Sequence, residues 1–76
     1  MFPPMTENEI RQNLIDAGCD DRLIQSYMTA MKANDCHKCL RLLERRRCAL
    51  LDEIHAAEKR LSCLDYLRYQ LRKSQH

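Results

Sequence analysis

The tetrapeptide Cys36-His37-Lys38-Cys39 contains the residue types and spacing that come closest to a chemical site. Two thiols at this spacing can bind one soft metal ion, and the start of a helix favours their thiolate form. Cys19, in the turn after the first predicted helix, could supply a third ligand, but a structural zinc ion takes four. We therefore favour no metal site and interpret Cys36 and Cys39 as small side chains at a helix junction.

The other two thiols, Cys48 and Cys63, could act as nucleophiles only if a base lay close to them. His55 follows Cys48 by seven residues and precedes Cys63 by eight, which is about two helical turns from either. That separation is too large for a hydrogen bond within one helix, so no catalytic pair is predicted. We expect neither enzymatic activity nor a cofactor.

The run Arg45-Arg46-Arg47 is the densest group of basic residues and the nearest approach to a nucleic-acid-binding motif. Successive residues of a helix point about 100° apart, so these three arginines cannot form one basic face. Arg41 and Arg72 could add to such a face, but no aromatic residues alternate with them. We expect solvated arginines that pair with neighbouring acids, and we do not expect direct binding to nucleic acid.

Length and composition limit the elements that could position these residues. The chain has 76 residues, of which 45% are hydrophobic and only one is glycine, so an all-α fold is predicted because sheets need many turns. A domain of this size gains little net stability from its own core and commonly relies on disulfides, a metal or a partner. Five cysteines, an odd number, argue against a disulfide framework. We expect a cytoplasmic protein with no membrane segment, since no apolar stretch is long enough to span a bilayer.

The first helix is predicted over about residues 7–17 of a single domain that covers residues 1–76. Thr6 and Glu9 match a capping box, in which the hydroxyl and the carboxylate each bind a backbone N–H at the helix start. Gly18 follows at the position where a left-handed backbone ends a helix. The expected apolar face has spacings of four and three residues: Ile10, Leu14 and Ala17.

The second helix is predicted over about residues 21–33, with Asp20 or Asp21 as its N-cap. Asn34 and Asp35 end this helix and cap the next one. The expected buried face consists of five apolar residues: Leu23, Ile24, Tyr27, Met28 and Met31. We expect both short helices to pack on the first half of the third.

A long third helix is predicted over about residues 36–73, because no glycine, proline or turn cluster interrupts that segment. A heptad repeat fits it, and eight of the ten core positions are apolar. These positions are Leu40, Leu43, Arg47, Leu50, Ile54, Ala57, Leu61, Leu64, Arg68 and Leu71. Two short helices can cover only part of this surface, so we expect the remainder to pack against a second copy. The predicted dimer interface is Leu50, Ile54, Leu61, Leu64 and Leu71.

The segment from Leu42 to Arg72 resembles the long C-terminal dimerisation helix of MerR-family transcription regulators. It is rich in Leu, Glu and Arg and contains a Leu-Asp-Tyr element at residues 64–66. The resemblance, over about residues 36–73, implies an antiparallel coiled-coil-like dimer with short helices packed on the long one. The family's DNA-reading winged helix precedes this region, and 35 residues cannot hold one.

The sequence thus predicts a small, non-enzymatic helical module for dimerisation or protein interaction, with a regulatory role as one use of it. The predicted partner is a second copy, and a different protein remains an alternative. Two other hypotheses stay open. One is an accessory protein, similar to transcription regulators, that associates with nucleic acid. The other is a thiol- or metal-sensing module that uses Cys36 and Cys39.

Overall fold

The computed structural model describes residues 4–75, and all regular secondary structure in that range is helical. Helix α1 spans Glu7–Asp16, α2 spans Asp21–Lys32 and α3 spans Cys36–Ser74. The prediction of an all-α chain with two short helices and one long helix is confirmed. The predicted C-terminal ends differ from the observed ends by one residue.

The start of α1 is fixed by Thr6. Its hydroxyl oxygen accepts a hydrogen bond from the backbone N–H of Glu9 at 3.1 Å, as expected for an N-cap. The Glu9 carboxylate accepts a hydrogen bond from the Thr6 hydroxyl at 3.1 Å, so the second half of the predicted capping box uses a side-chain donor. Met5, just before the cap, is half-buried against the core.

Both short helices end in a Schellman motif, in which a left-handed residue lets two backbone N–H groups turn back to carbonyls of the last turn. At the end of α1, Gly18 has φ +74, and its N–H and that of Cys19 bind the carbonyls of Ile15 and Leu14. At the end of α2, Asn34 has φ 57 and repeats the arrangement. The left-handed turn at Asn34 brings the chain directly into α3.

Aspartates cap the other two helices. An Asp20 carboxylate oxygen accepts from the Leu23 N–H at 2.8 Å, so Asp20 is the N-cap of α2, and Asp21 lies within the helix. An Asp35 oxygen accepts from the Lys38 N–H at 3.1 Å at the start of α3. Each carboxylate lies at the positive end of a helix dipole, where a negative charge is stabilising.

The core lies in the first of two compact units, which ends at Arg46; the second begins at Arg47. All three helices contribute buried side chains to one cluster, and α3 contributes only Cys39 and Leu42. The short helices therefore bury a shorter part of α3 than its first half. The buried side chains are Ile10, Leu14, Ile24, Tyr27, Met28, Ala30, Cys39 and Leu42.

Two details of the predicted core differ from the structure. Ala17 is exposed and lies one residue beyond the end of α1 as its C-cap, where its carbonyl accepts a hydrogen bond from the Arg46 side chain at 2.9 Å. Ala30 of α2 is buried, although the predicted buried face of this helix did not include it. Leu23 and Met31 are half-buried at the edge of the cluster. Among the helices of residues 4–75, none is both long and apolar enough to cross a membrane.

Replacing Gly18 with alanine is expected to lower the free energy of unfolding by about 1–2 kcal/mol, because an L-residue with a Cβ is strained at this φ. The new Cβ would also lie 2.6 Å from an Arg46 guanidinium nitrogen, which would have to move. Chemical denaturation followed by circular dichroism, at one fixed protein concentration, measures the change.

The matched control is Asn34→Gly at the other left-handed position. Glycine relieves backbone strain there but adds entropy to the unfolded chain, so a net change under about 1 kcal/mol is expected. A Gly18→Ala variant as stable as the wild type would contradict the assignment of this turn.

Candidate functional site

The main candidate site is an apolar stripe along α3, which we call the α3 stripe. It comprises the ten heptad positions named above, from Leu40 to Leu71. Ile54, Leu61, Leu64 and Leu71 are between 50% and 63% exposed, and Leu50 is half-buried. The structure thus leaves four of the five predicted interface residues widely accessible in a single chain.

The core uses a different face of α3. Cys39 and Leu42 point into the first unit, whereas the neighbouring stripe residues Leu40 and Leu43 are 55% and 38% exposed. The α3 stripe is therefore accessible from its first residue, even beside α1 and α2. The heptad pattern alone did not distinguish the core face from the α3 stripe, because Cys39 has a small side chain that is hard to recognise as a core residue from sequence.

The three consecutive arginines have three different environments, as their helical spacing predicts. Arg45 lies on the side of α3 that faces α2. The Arg46 Nε–H donates to the carbonyl of Ala17 at 2.9 Å and so ties α3 to the end of α1. Arg47 occupies a position in the α3 stripe. No sequence signal marked Arg46 as the residue with a structural contact.

A groove between α2 and the first turns of α3 is lined by cations. Three adjoining hollows of about 220, 310 and 380 Å³ lie along it, and Ser26 of α2 borders all three. We define the basic groove by the four exposed basic residues that line it: Arg22 of α2 and Lys38, Arg41 and Arg45 of α3.

Arg45 differs from the expectation that the arginines of residues 45–47 pair with neighbouring acids, and the other cations of the basic groove are like it. Within residues 4–75 none of the four forms an ion pair, whereas Lys32 lies 4.0 Å from Glu7 and Arg68 lies 3.5 Å from Asp65. The one carboxylate that lines the groove, Asp20, caps α2. The side chains that line the groove therefore carry a net positive charge. Arg72, the third arginine considered for a basic face, belongs to the second unit.

The cysteines at the start of α3 are not arranged as a metal centre. Cys39 is buried and its thiol donates to the backbone carbonyl of Tyr27 at 3.7 Å, while Cys36 and Cys19 are half-buried. In the described part of the chain, no three His, Cys, Asp or Glu side chains are grouped closely enough to share a metal ion. The geometry thus gives no support to Cys19 as a third ligand.

Burial also opposes the thiolate form that the helix start was expected to favour. Desolvation raises the pKa of the Cys39 thiol above its ordinary value, and the nearby Cys36 and Asp35 add to the shift, with Lys38 opposing it. Desolvation likewise raises the pKa of the adjacent Tyr27 phenol. Cys39 is therefore held as a neutral thiol and serves as a core side chain.

Cys48, Cys63 and His55, the other residues considered for chemistry, are all exposed on α3. An apolar cavity of about 240 Å³ opens between α1 and α3, with Leu43 of the α3 stripe at its edge. This volume is below the ~300–1,000 Å³ of small-molecule sites, so the cavity does not define a ligand site of that kind.

Comparisons with protein-family models, with curated proteins and with solved structures find no match to this chain. The exposed α3 stripe and the basic groove are therefore the features of the chain that bear on its function.

Cys39 is expected to react with iodoacetamide at least about tenfold more slowly than Cys48 and Cys63 near neutral pH, because it is buried and because desolvation raises the pKa of its thiol. Mass spectrometry of peptides from timed reactions measures each rate. In denaturant the difference should disappear. A native Cys39 that is alkylated as fast as Cys48 would show that it is not a core residue.

Proposed function

We propose that this protein is a small, non-enzymatic self-association module of the cytoplasm, and that a second copy covers its α3 stripe. The observation that carries the proposal is the exposure of this stripe over the length of α3, from Leu40 to Leu71. Soluble proteins rarely leave so regular an apolar surface in contact with water unless a partner binds there.

Energetics support a partner that covers much of the stripe. Burying the exposed half of a leucine contributes about 1 kcal/mol, and several such residues recur along the helix. A chain of 76 residues has little stability to spare, so this contribution is large relative to its own folding free energy. Association would then stabilise the fold as well as join two copies.

The two arginines of the stripe favour an antiparallel orientation. In a parallel dimer, Arg47 would face Arg47 of the second copy and Arg68 would face Arg68, which places like charges together in an apolar seam. Each heptad has two core positions, and both arginines occupy the first of them. In an antiparallel dimer a residue at the first core position faces one at the second core position of the other copy. The aliphatic part of each arginine can then cover a leucine while the guanidinium reaches water.

One antiparallel register engages all ten stripe residues of both copies. A shift by one heptad in either direction leaves two residues of each copy uncovered, so this register buries the most apolar surface. The facing pairs, each of which occurs twice by symmetry, are Leu40–Leu71, Leu43–Arg68, Arg47–Leu64, Leu50–Leu61 and Ile54–Ala57.

The joint substitution Leu61→Lys and Leu64→Lys is expected to weaken dimerisation at least about 100-fold, since it places charged groups in the seam and removes apolar contacts. Sedimentation velocity over a range of concentrations measures the association. The control is Ser62→Lys with Tyr66→Lys, which adds the same charge outside the stripe and should leave the dimer intact.

A wild-type protein that remains monomeric at all concentrations would refute self-association, and the stripe would then require a different protein. Equal weakening by the control pair would show that added charge, and not the stripe, governs assembly.

Disulfide trapping tests the orientation and register. In a background with Cys48→Ser and Cys63→Ser, the double variant Leu50→Cys with Leu61→Cys should form a dimer joined by disulfides between these two positions. Neither single variant should do so, because in this register two copies of one position lie about 16 Å apart along the helix axis, beyond disulfide reach.

Peptide mapping identifies the linked positions. A disulfide that joins position 50 of one copy to position 50 of the other, in the single variant Leu50→Cys, would indicate a parallel dimer. An absence of links in the double variant, from a protein that sediments as a dimer, would exclude this register.

A further inference from the structure

We infer that the basic groove binds the phosphate backbone of a duplex nucleic acid. The groove is built by tertiary packing, because Arg22 comes from α2 and the other three cations come from α3. It lies on a different side of α3 from the stripe, so binding there does not depend on the proposed self-association.

The positive charge of the groove favours the binding of an anion. Four cations line one surface, and no carboxylate in residues 4–75 is paired with any of them. Like charges that line one groove repel one another, and a bound polyanion would relieve that repulsion. Arginine is also the side chain whose planar group best matches a phosphate through two parallel hydrogen bonds.

The length of the groove fits a linear polyanion better than a single ion. Lys38, Arg41 and Arg45 extend over about 10 Å of α3 at 1.5 Å per residue. Neighbouring phosphates of one duplex strand are separated by the rise of ~3.4 Å along the axis and also by the winding of the strand around it, so a row of this length would span more than one phosphate. A single phosphate ion would leave part of the row unneutralised.

The remaining lining residues favour a duplex backbone over exposed bases. Gln25, Ser26 and Thr29 of α2 are neutral donors of the kind that bind phosphate oxygens. No aromatic side chain lines the three hollows, so the groove offers no platform for stacking the bases of a single strand. We therefore expect binding that does not depend on base sequence.

The acidic turn between α1 and α2 does not block this surface. Asp20 lies at one end of the groove, where its carboxylate is engaged by the N-terminus of α2. Asp21 borders a separate hollow together with Arg11 and Ile15. Asp20 is thus the one acidic side chain among the described residues that line the groove, and the two hollows that contain Lys38 have none.

The test is fluorescence anisotropy of labelled DNA and RNA duplexes with the full-length protein over about 50–200 mM salt. For the wild type, the logarithm of the binding constant should fall against that of the salt concentration with a slope of about −4 per groove. The joint substitution Arg41→Gln and Arg45→Gln should reduce affinity at least about tenfold at low salt and lower the slope by about 2.

The matched control is Lys59→Gln with Lys73→Gln, which removes the same charge from α3 in the second unit. It should change affinity less than about threefold, since these groups would act only at long range. Circular dichroism and sedimentation verify that each variant retains its helix content and assembly state. A second groove pair, Arg22→Gln with Lys38→Gln, provides an independent measurement.

Loss of binding in both groove pairs, with the control unchanged, supports the inference, and the two duplexes distinguish DNA from RNA. Equal losses in the control and groove pairs would overturn it, because overall charge would then explain the binding. Wild-type protein that binds neither duplex, or that prefers polyglutamate, would also overturn it. None of these results affects the sedimentation tests of self-association.

Discussion

The packing of Cys39 and Leu42 against α1 and α2 is the contact on which the rest of this structure depends. It is the only part of α3 that is buried within the described chain, and it fixes how the helix is rotated about its axis. Because that face of α3 packs into the core, the α3 stripe is exposed on one side of it and the basic groove lies on the other side. A rotation of α3 by one residue, about 100°, would turn one of these two surfaces into the core.

The short helices reach that contact through local devices that use few residues. Thr6, Asp20 and Asp35 satisfy backbone donors at the helix starts, and the left-handed residues Gly18 and Asn34 end α1 and α2 within one turn. The Arg46 guanidinium then joins α3 to the end of α1 through the Ala17 carbonyl. The first unit is thus small but well specified, which suits a chain whose remaining apolar surface is proposed to be buried by a second copy.

Tertiary packing, more than spacing along the sequence, decides the chemical environment of the cysteines and the basic residues. A Cys-x-x-Cys pair at a helix start suggests an accessible thiolate, yet the second cysteine is a core residue whose neutral form is favoured by desolvation. The basic residues show the opposite case. Their spacing along the sequence suggested a solvated surface paired with acids, and the fold placed four of them along one groove without such pairs.

The sequence by itself determined the helices, their ends and the heptad pattern of α3, because capping, left-handed turns and periodicity are local properties that a few neighbouring residues control. It also indicated most of the buried residues of α2. Only the tertiary structure decided which face of α3 is buried, that Arg46 makes a structural contact, and that Arg22 lies beside the cations of α3. These outcomes depend on side-chain packing between segments distant in sequence, and no local pattern encodes the rotation of one helix against another.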